Sequence, residues 1–264
     1  MGWISHTGSG DHAVAALAGR QQGVVSRAQL RELGLSDRAI DRRVESGRLH
    51  LTFRGVYAVG HRRIGRAGRM LAALLACGDG AVISHGSAAE LLGLWDKKPV
   101  LIDVVAPGQA GRGMDGIRWH RAAWLESDEV TTHEGIACTT ASRALVDLAA
   151  SFGEGTLRRL VEQAAFLRLL DIAEVDRVLA RGRRRGAAQL RRILVPWRGE
   201  AERPPRLRSI LEARFFPLLA EADLPRPRCN AKLAIDGDWF EVDMLWEERR
   251  LVLEADGEET HGTR

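Results

Sequence analysis

The chain has 264 residues, 45% of them hydrophobic, enough to bury more than one core, so two or three domains are expected. Its net charge of +4 is unevenly spread: residues 201–264 hold 14 acidic and 10 basic side chains, which leaves +8 on the first 200 residues, the sign of a part that meets a polyanion. The longest apolar runs, such as Met70 to Cys77, fall far short of the roughly 20 residues of a membrane span, no basic-then-apolar leader opens the chain, and three scattered cysteines make no C-x-x-C pair. A cytoplasmic protein without a membrane span, disulfide framework or zinc knuckle is therefore expected. The same arginine-rich composition would also follow from GC-rich coding.

In chain order, residues 11–22 read as a first helix. Ser26-Arg27-Ala28-Gln29 fits a capping box opening a second helix that runs to Leu33 and stops at Gly34. Ser36 can cap a third through Ser46, with Ala39, Ile40 and Val44 as its buried side and Gly47 as its end. Leu49, Leu51 and Phe53 then alternate with His50 and Thr52, and Arg54-Gly55 turns the chain into Val56–Val59. Three helices and a hairpin over 11–60 predict a winged helix-turn-helix. In such a domain the second helix of the pair enters the major groove, so Asp37, Arg38, Asp41, Arg42 and Arg43 are its exposed candidates, and Arg54 at the wing tip suits phosphate or the minor groove. A charged face of this kind would serve a protein-protein winged helix equally well.

Residues 61–150 read as a mixed α/β region. Arg66 to Cys77 is helical and Ala81 to Ile83 a short strand, and Ser87-Ala88-Ala89-Glu90 looks like a capping box opening a helix to about Gly93. Val100 to Ala106 and Ile117 to Arg121 read as strands around the glycine-rich stretch 108–116, which lacks the G-K-[ST] of a phosphate-binding loop. Val130 to Cys138 reads as a hairpin turning at Glu134-Gly135, followed by a helix from Thr139 or Thr140 to Ala150. A helical connector covers 151–198, with Arg181-Gly182-Arg183-Arg184-Arg185 as a solvated link or a phosphate-backbone contact. Arg198 to Pro205 is the expected linker.

The last segment starts with an amphipathic helix, Leu207 to Ala222, carrying Glu212 and interrupted at Pro217. Cys229 to Ile235 and Trp239 to Trp246 make a hairpin across Asp236-Gly237, and a third strand runs from Leu251 to Asp256. Alternation puts Glu241 and Asp243 on one face, with Val252, Glu254 and Asp256 on the corresponding face of the third strand. Carboxylates gathered in this way stay ionised when a cation joins them, which outlines a site for Mg²⁺ or Mn²⁺ suited to phosphodiester hydrolysis. His261 is positioned in sequence as a general base or transition-state donor.

Two resemblances extend these readings. The run Glu241-Val242-Asp243, then Glu254-Ala255-Asp256-Gly257 and His261, preceded by Ser209-Ile210-Leu211-Glu212, resembles the very-short-patch-repair-related endonuclease-like domains of the PD-(D/E)xK superfamily over residues 205–264. It implies Asp243 and Glu254 as metal ligands, Glu212, Asp256 and His261 as supporting or catalytic groups, and a further helix and strand after Arg264 to complete the core. Asp256 stands where the superfamily's usual motif has lysine, so the charge that polarises the nucleophilic water would come from His261 or elsewhere.

Gly23-Val24-Val25-Ser26 through Gly55-Val56-Tyr57, with Ile83-Ser84-His85-Gly86-Ser87-Ala88-Ala89 and Leu92-Gly93-Leu94-Trp95, resembles the AbiEi-type antitoxins of type IV toxin-antitoxin systems over roughly residues 11–150. That resemblance implies a DNA-binding winged helix, often autoregulatory, with a cognate toxin or the promoter of its gene as partner. His85 in this motif reads as a packed or capping residue rather than a catalytic one. The expected fold class is thus α+β multidomain: a winged helix, a mixed α/β region and a partial restriction-endonuclease-like α/β core. Two functions follow, a Mg²⁺-dependent DNA endonuclease, with DNA bound through Arg38, Arg42, Arg43 and Arg54, or a non-catalytic antitoxin-type regulator.

Overall fold

The computed structural model describes residues 7–106, 113–122, 125–198, 215, 218–219, 222, 224–225, 227–235 and 238–254. It is a mixed α/β protein whose contacts group into two compact units, Met1–Leu91 with Lys97–Thr140, and Leu92–Asp96 with Ala141–Arg264.

The first unit opens with α1 (Thr7–Arg20), β1 (Val24–Ser26), α2 (Arg27–Glu32), α3 (Asp37–Glu45), β2 (Leu49–Phe53) and β3 (Val56–Val59). The three strands form an antiparallel sheet in the order β1-β3-β2, which with the three helices is the connectivity of a winged helix-turn-helix. Both expected caps are formed. The Ser26 hydroxyl accepts from the Gln29 N–H while the Gln29 side chain accepts from the Ser26 N–H, and Ser36 accepts from Ala39 N–H. Strand β1 is absent from the sequence reading because three residues, all buried, carry no alternation; its pairing with β3 identifies it. Val14, Ala18, Val25, Leu30, Leu35, Ile40, Leu49 and Tyr57 close the core beneath these elements.

Two expected core positions turn outward. Val44 is 36% exposed, leaving Ile40 as the buried residue of α3. Leu51 is 66% exposed, whereas Leu49 and Phe53 are buried; a register shift between Leu51 and Phe53 adds a residue to β2 beside the wing turn and breaks the strict alternation.

The rest of this unit contains α4 (Arg66–Cys77), β4 (Val82–Ile83), α5 (His85–Leu91), β5 (Ile102–Val105), β6 (Ile117–His120), β7 (Val130–His133) and β8 (Ile136–Thr139). Its strands make a five-stranded mixed sheet in the order β6-β5-β4-β8-β7. Helix α4 touches β1, β2 and β3 and also β4, β5 and β8. That close approach requires Gly68, since a Cβ there would lie 2.7 Å from the Gln22 carbonyl oxygen. Helix α5 starts two residues before the predicted cap. Ser87 is inside it, and its hydroxyl accepts from the backbone N–H of Asp103 on β5 at 2.9 Å.

The second unit holds α6 (Ala141–Leu148), α7 (Glu154–Phe166), α8 (Ile172–Ala180) and α9 (Ala187–Leu194), followed by β9 (Arg228–Ile235), β10 (Asp238–Trp246) and β11 (Leu251–Leu253) in an antiparallel sheet of order β11-β10-β9. The helices bury an i,i+4 ion pair between Arg143 and Asp147 at 3.0 Å, with Arg184 3.9 Å from the same carboxylate. The predicted helix around Glu212 and the predicted linker lie largely outside the described residues.

Burial pushes the Cys77 thiol up to about 12 and that of Cys138 up to about 11, so both stay protonated and shielded. Under mildly alkaline conditions a thiol-alkylating reagent is expected to leave both unmodified in the native protein and to react with both after denaturation. Cys229, half-buried, is where native reaction is expected. Peptide mass spectrometry reads the pattern, and rapid native labelling of Cys77 would contradict it.

Candidate nucleic-acid interface

The candidate surface is built on α3. The helix is capped by Ser36, and Ile40 anchors it to the core. At about 100° per residue, Arg38 and Arg42, two positions before and two after Ile40, project roughly 160° away from it. Both are exposed, and neither side chain makes a hydrogen bond or ion pair among the described residues. Arg54 is likewise exposed and unpaired at the β2–β3 turn, where Gly55 takes φ 74°. Among the described residues these three guanidiniums have no partner.

Arg43 is not part of that set. Its Nη2 and Nε lie 2.6 and 2.9 Å from Asp11 Oδ1, and its Nη1 donates to the Ala39 carbonyl, so the side chain folds back onto α1. Arg48 joins it on the other oxygen of Asp11 at 3.1 Å.

Asp37 and Asp41 are committed as well. Arg27 donates through Nε to Asp37, through Nη2 to Asp41 and through Nη1 to the Tyr57 hydroxyl, each at 2.9 Å. Arg31 adds a bidentate contact to Asp37, with Nη2 at 2.6 Å from Oδ2. The guanidinium of Arg31, then that of Arg27, holds the Asp37 carboxyl below the usual carboxylate range. Arg27 itself is raised by Asp41, Asp37 and Tyr57.

The sequence reading took Arg27 only as part of a cap. A signal for its second role was present: two arginines one turn apart on one helix and two aspartates one turn apart on the next give two faces of opposite charge.

In the second unit, β10 pairs with β11 through Met244↔Leu253, the last pair of that ladder, and Asp243 and Glu254 are the residues next to it in sequence. Glu241 precedes on the same face as Asp243, and Lys232 on β9 stands directly opposite Glu241. Lys232, Trp239, Phe240 and Glu241 line a cavity of about 590 Å³. This lysine, contributed by the neighbouring strand, was missed by a reading along one motif. Glu212, Asp256 and His261 lie outside the described residues. Among those described, no group of three or more His, Cys, Asp and Glu side chains is placed to hold a metal ion.

His85 lies at the β4–α5 junction with φ 48°. Its ring stacks on that of His120 with centroids 3.5 Å apart, and His120 Nε2 is 2.8 Å from Oδ1 of the buried Asp103. The packed role expected for His85 matches this placement. Of the basic run at 181–185, Arg184 turns toward Asp147, whereas Arg183 and Arg185 are exposed.

A winged helix-turn-helix with arginines aimed away from its own core defines the first unit's N-terminal part. Residues 12–60 match the model of a family described as transcriptional regulator, AbiEi antitoxin. No curated protein matches the chain. Among solved structures, the crystal structure of the RV2827C protein from Mycobacterium tuberculosis is similar at 19% identity, covering 72% of this chain and 81% of that one, with a TM-score of 0.35. No helix among the described residues is long and apolar enough to cross a membrane.

Proposed function

We propose that the chain is a DNA-binding transcriptional regulator of antitoxin type, whose α3 lies in the major groove and reads base edges through Arg38 and Arg42. The observation that carries this is the placement, opposite Ile40 on the second helix of the motif, of two guanidiniums with no partner among the described residues. Arg54 contributes a phosphate or minor-groove contact from the wing. The family description of residues 12–60 supports the regulatory role, and with it a cognate toxin or the promoter of its gene as partner. Such a protein works on DNA in the cytoplasm. The test is binding of the full chain to duplexes from around its own gene across a salt series: a preferred duplex with steeply salt-dependent affinity supports the reading, and equal, weak binding to every duplex removes it.

We infer a second reading for residues 205–264, supported by the pairing Met244↔Leu253, which brings the strand positions beside Asp243 and Glu254 together. These carboxylates offer two hard oxygen ligands to Mg²⁺ or Mn²⁺, fewer than the full shell such an ion takes. A bound ion would supply charge neutralisation for phosphodiester hydrolysis. Glu254 and Asp243 would hold it, and Glu212, Asp256 and His261 would complete the endonuclease-like set. Metal-dependent nicking of supercoiled DNA that disappears in Asp243→Ala and in Glu254→Ala, with DNA binding retained, is the expected result. Cleavage unchanged by either substitution, or none in the wild type, rules this reading out.

A further inference from the structure

Helix-turn-helix proteins cross the DNA backbone with the first helix of the pair. Here that helix, α2, carries Arg27 and Arg31, and both are held by carboxylates of the next helix. We infer that Asp37 and Asp41 act as an internal counter-charge that withholds Arg27 and Arg31 from DNA phosphate and so keeps affinity for duplexes of arbitrary sequence low.

The cluster lies at the surface, but it is a network of several contacts and not a single ion pair. Arg27 has all three nitrogens engaged, one of them by the hydroxyl of the buried Tyr57, and Arg31 holds Asp37 through a bidentate fork. Carboxylate and phosphate compete for the same planar donor set, so a guanidinium occupied by one is unavailable to the other. The four side chains sum to zero charge, and the lowered carboxyl of Asp37 stays ionised at neutral pH. Binding to arbitrary sequence rests almost entirely on phosphate contacts, whereas base reading by Arg38 and Arg42 does not involve this cluster. The lock therefore weakens the non-specific term more than the specific one.

This inference rests on the DNA-binding reading, and the experiment separates the two. Binding of the full chain to a random-sequence duplex and to a preferred duplex is measured over a salt series for the wild type, Asp37→Asn/Asp41→Asn, Arg27→Gln/Arg31→Gln, the quadruple variant, and Glu45→Gln as a control for loss of one exposed negative charge that pairs with neither arginine. The double aspartate variant is expected to bind the random duplex about tenfold more tightly per arginine released at roughly 0.1 M salt, with a steeper slope of log K against log salt. The gain is expected to vanish in the arginine-free background, as a double-mutant cycle requires of coupled groups. An equal gain in that background, or one matched per charge by Glu45→Gln, means simple charge removal and overturns the lock. No gain in a variant whose circular dichroism matches wild type overturns it too. If the wild type binds no duplex, the DNA-binding reading fails along with it.

Discussion

Replacing Arg38 and Arg42 together with alanine is expected to reduce affinity for the preferred duplex by about a hundredfold or more, since a good base contact is worth about 1–3 kcal/mol. The exposed positions of both residues mean that stability should change by no more than about 0.5 kcal/mol, the usual range for surface substitutions. Fluorescence anisotropy with labelled duplexes measures the loss, and the single variants should relax selectivity at different base pairs. Arg43→Ala provides the contrast: its side chain ties α3 to Asp11, so its main effect should fall on stability rather than on sequence preference. Wild-type affinity in the double variant would show that α3 does not face DNA through this surface.

Ile40→Ala is expected to destabilise the winged helix by about 2–5 kcal/mol, the range for removing a fully buried aliphatic side chain. Ile40 is the buried residue of α3, so little apolar packing remains to hold the helix once it is truncated. Urea unfolding followed by circular dichroism should show an earlier first transition, and DNA binding should be lost across the same range. An unchanged transition would mean that the Arg27 cluster and the Arg43–Asp11 pair, not Ile40, fasten α3.

Local signals account for what could be read from the chain. The Ser26–Gln29 box and the Ser36 cap depend on residues three apart, and both formed where the spacing put them. The helix following Thr140, the helical character of 151–198 and the β9–β10 hairpin were legible from local sequence in the same way. What was not legible depends on distant partners. Asp11, which captures Arg43, is 32 residues away, and His120, which stacks on His85, is 35 away. The added residue in β2 falls after Leu51 and takes Phe53 out of the Leu49–Leu51 alternation, a break that no turn residue marks. Lys232 was overlooked for a related reason, since only strand pairing brings it beside Glu241.

Helix α4, in contact with both the β1–β3 sheet and the five-stranded sheet and close against Gln22 at Gly68, makes the winged helix a poor candidate for excision. A fragment ending at residue 60 would leave one side of its sheet without the helix that covers it. A graft of this motif onto another protein would have to carry α4 along, and a bulkier residue at Gly68 would disturb the winged helix from outside its own sequence.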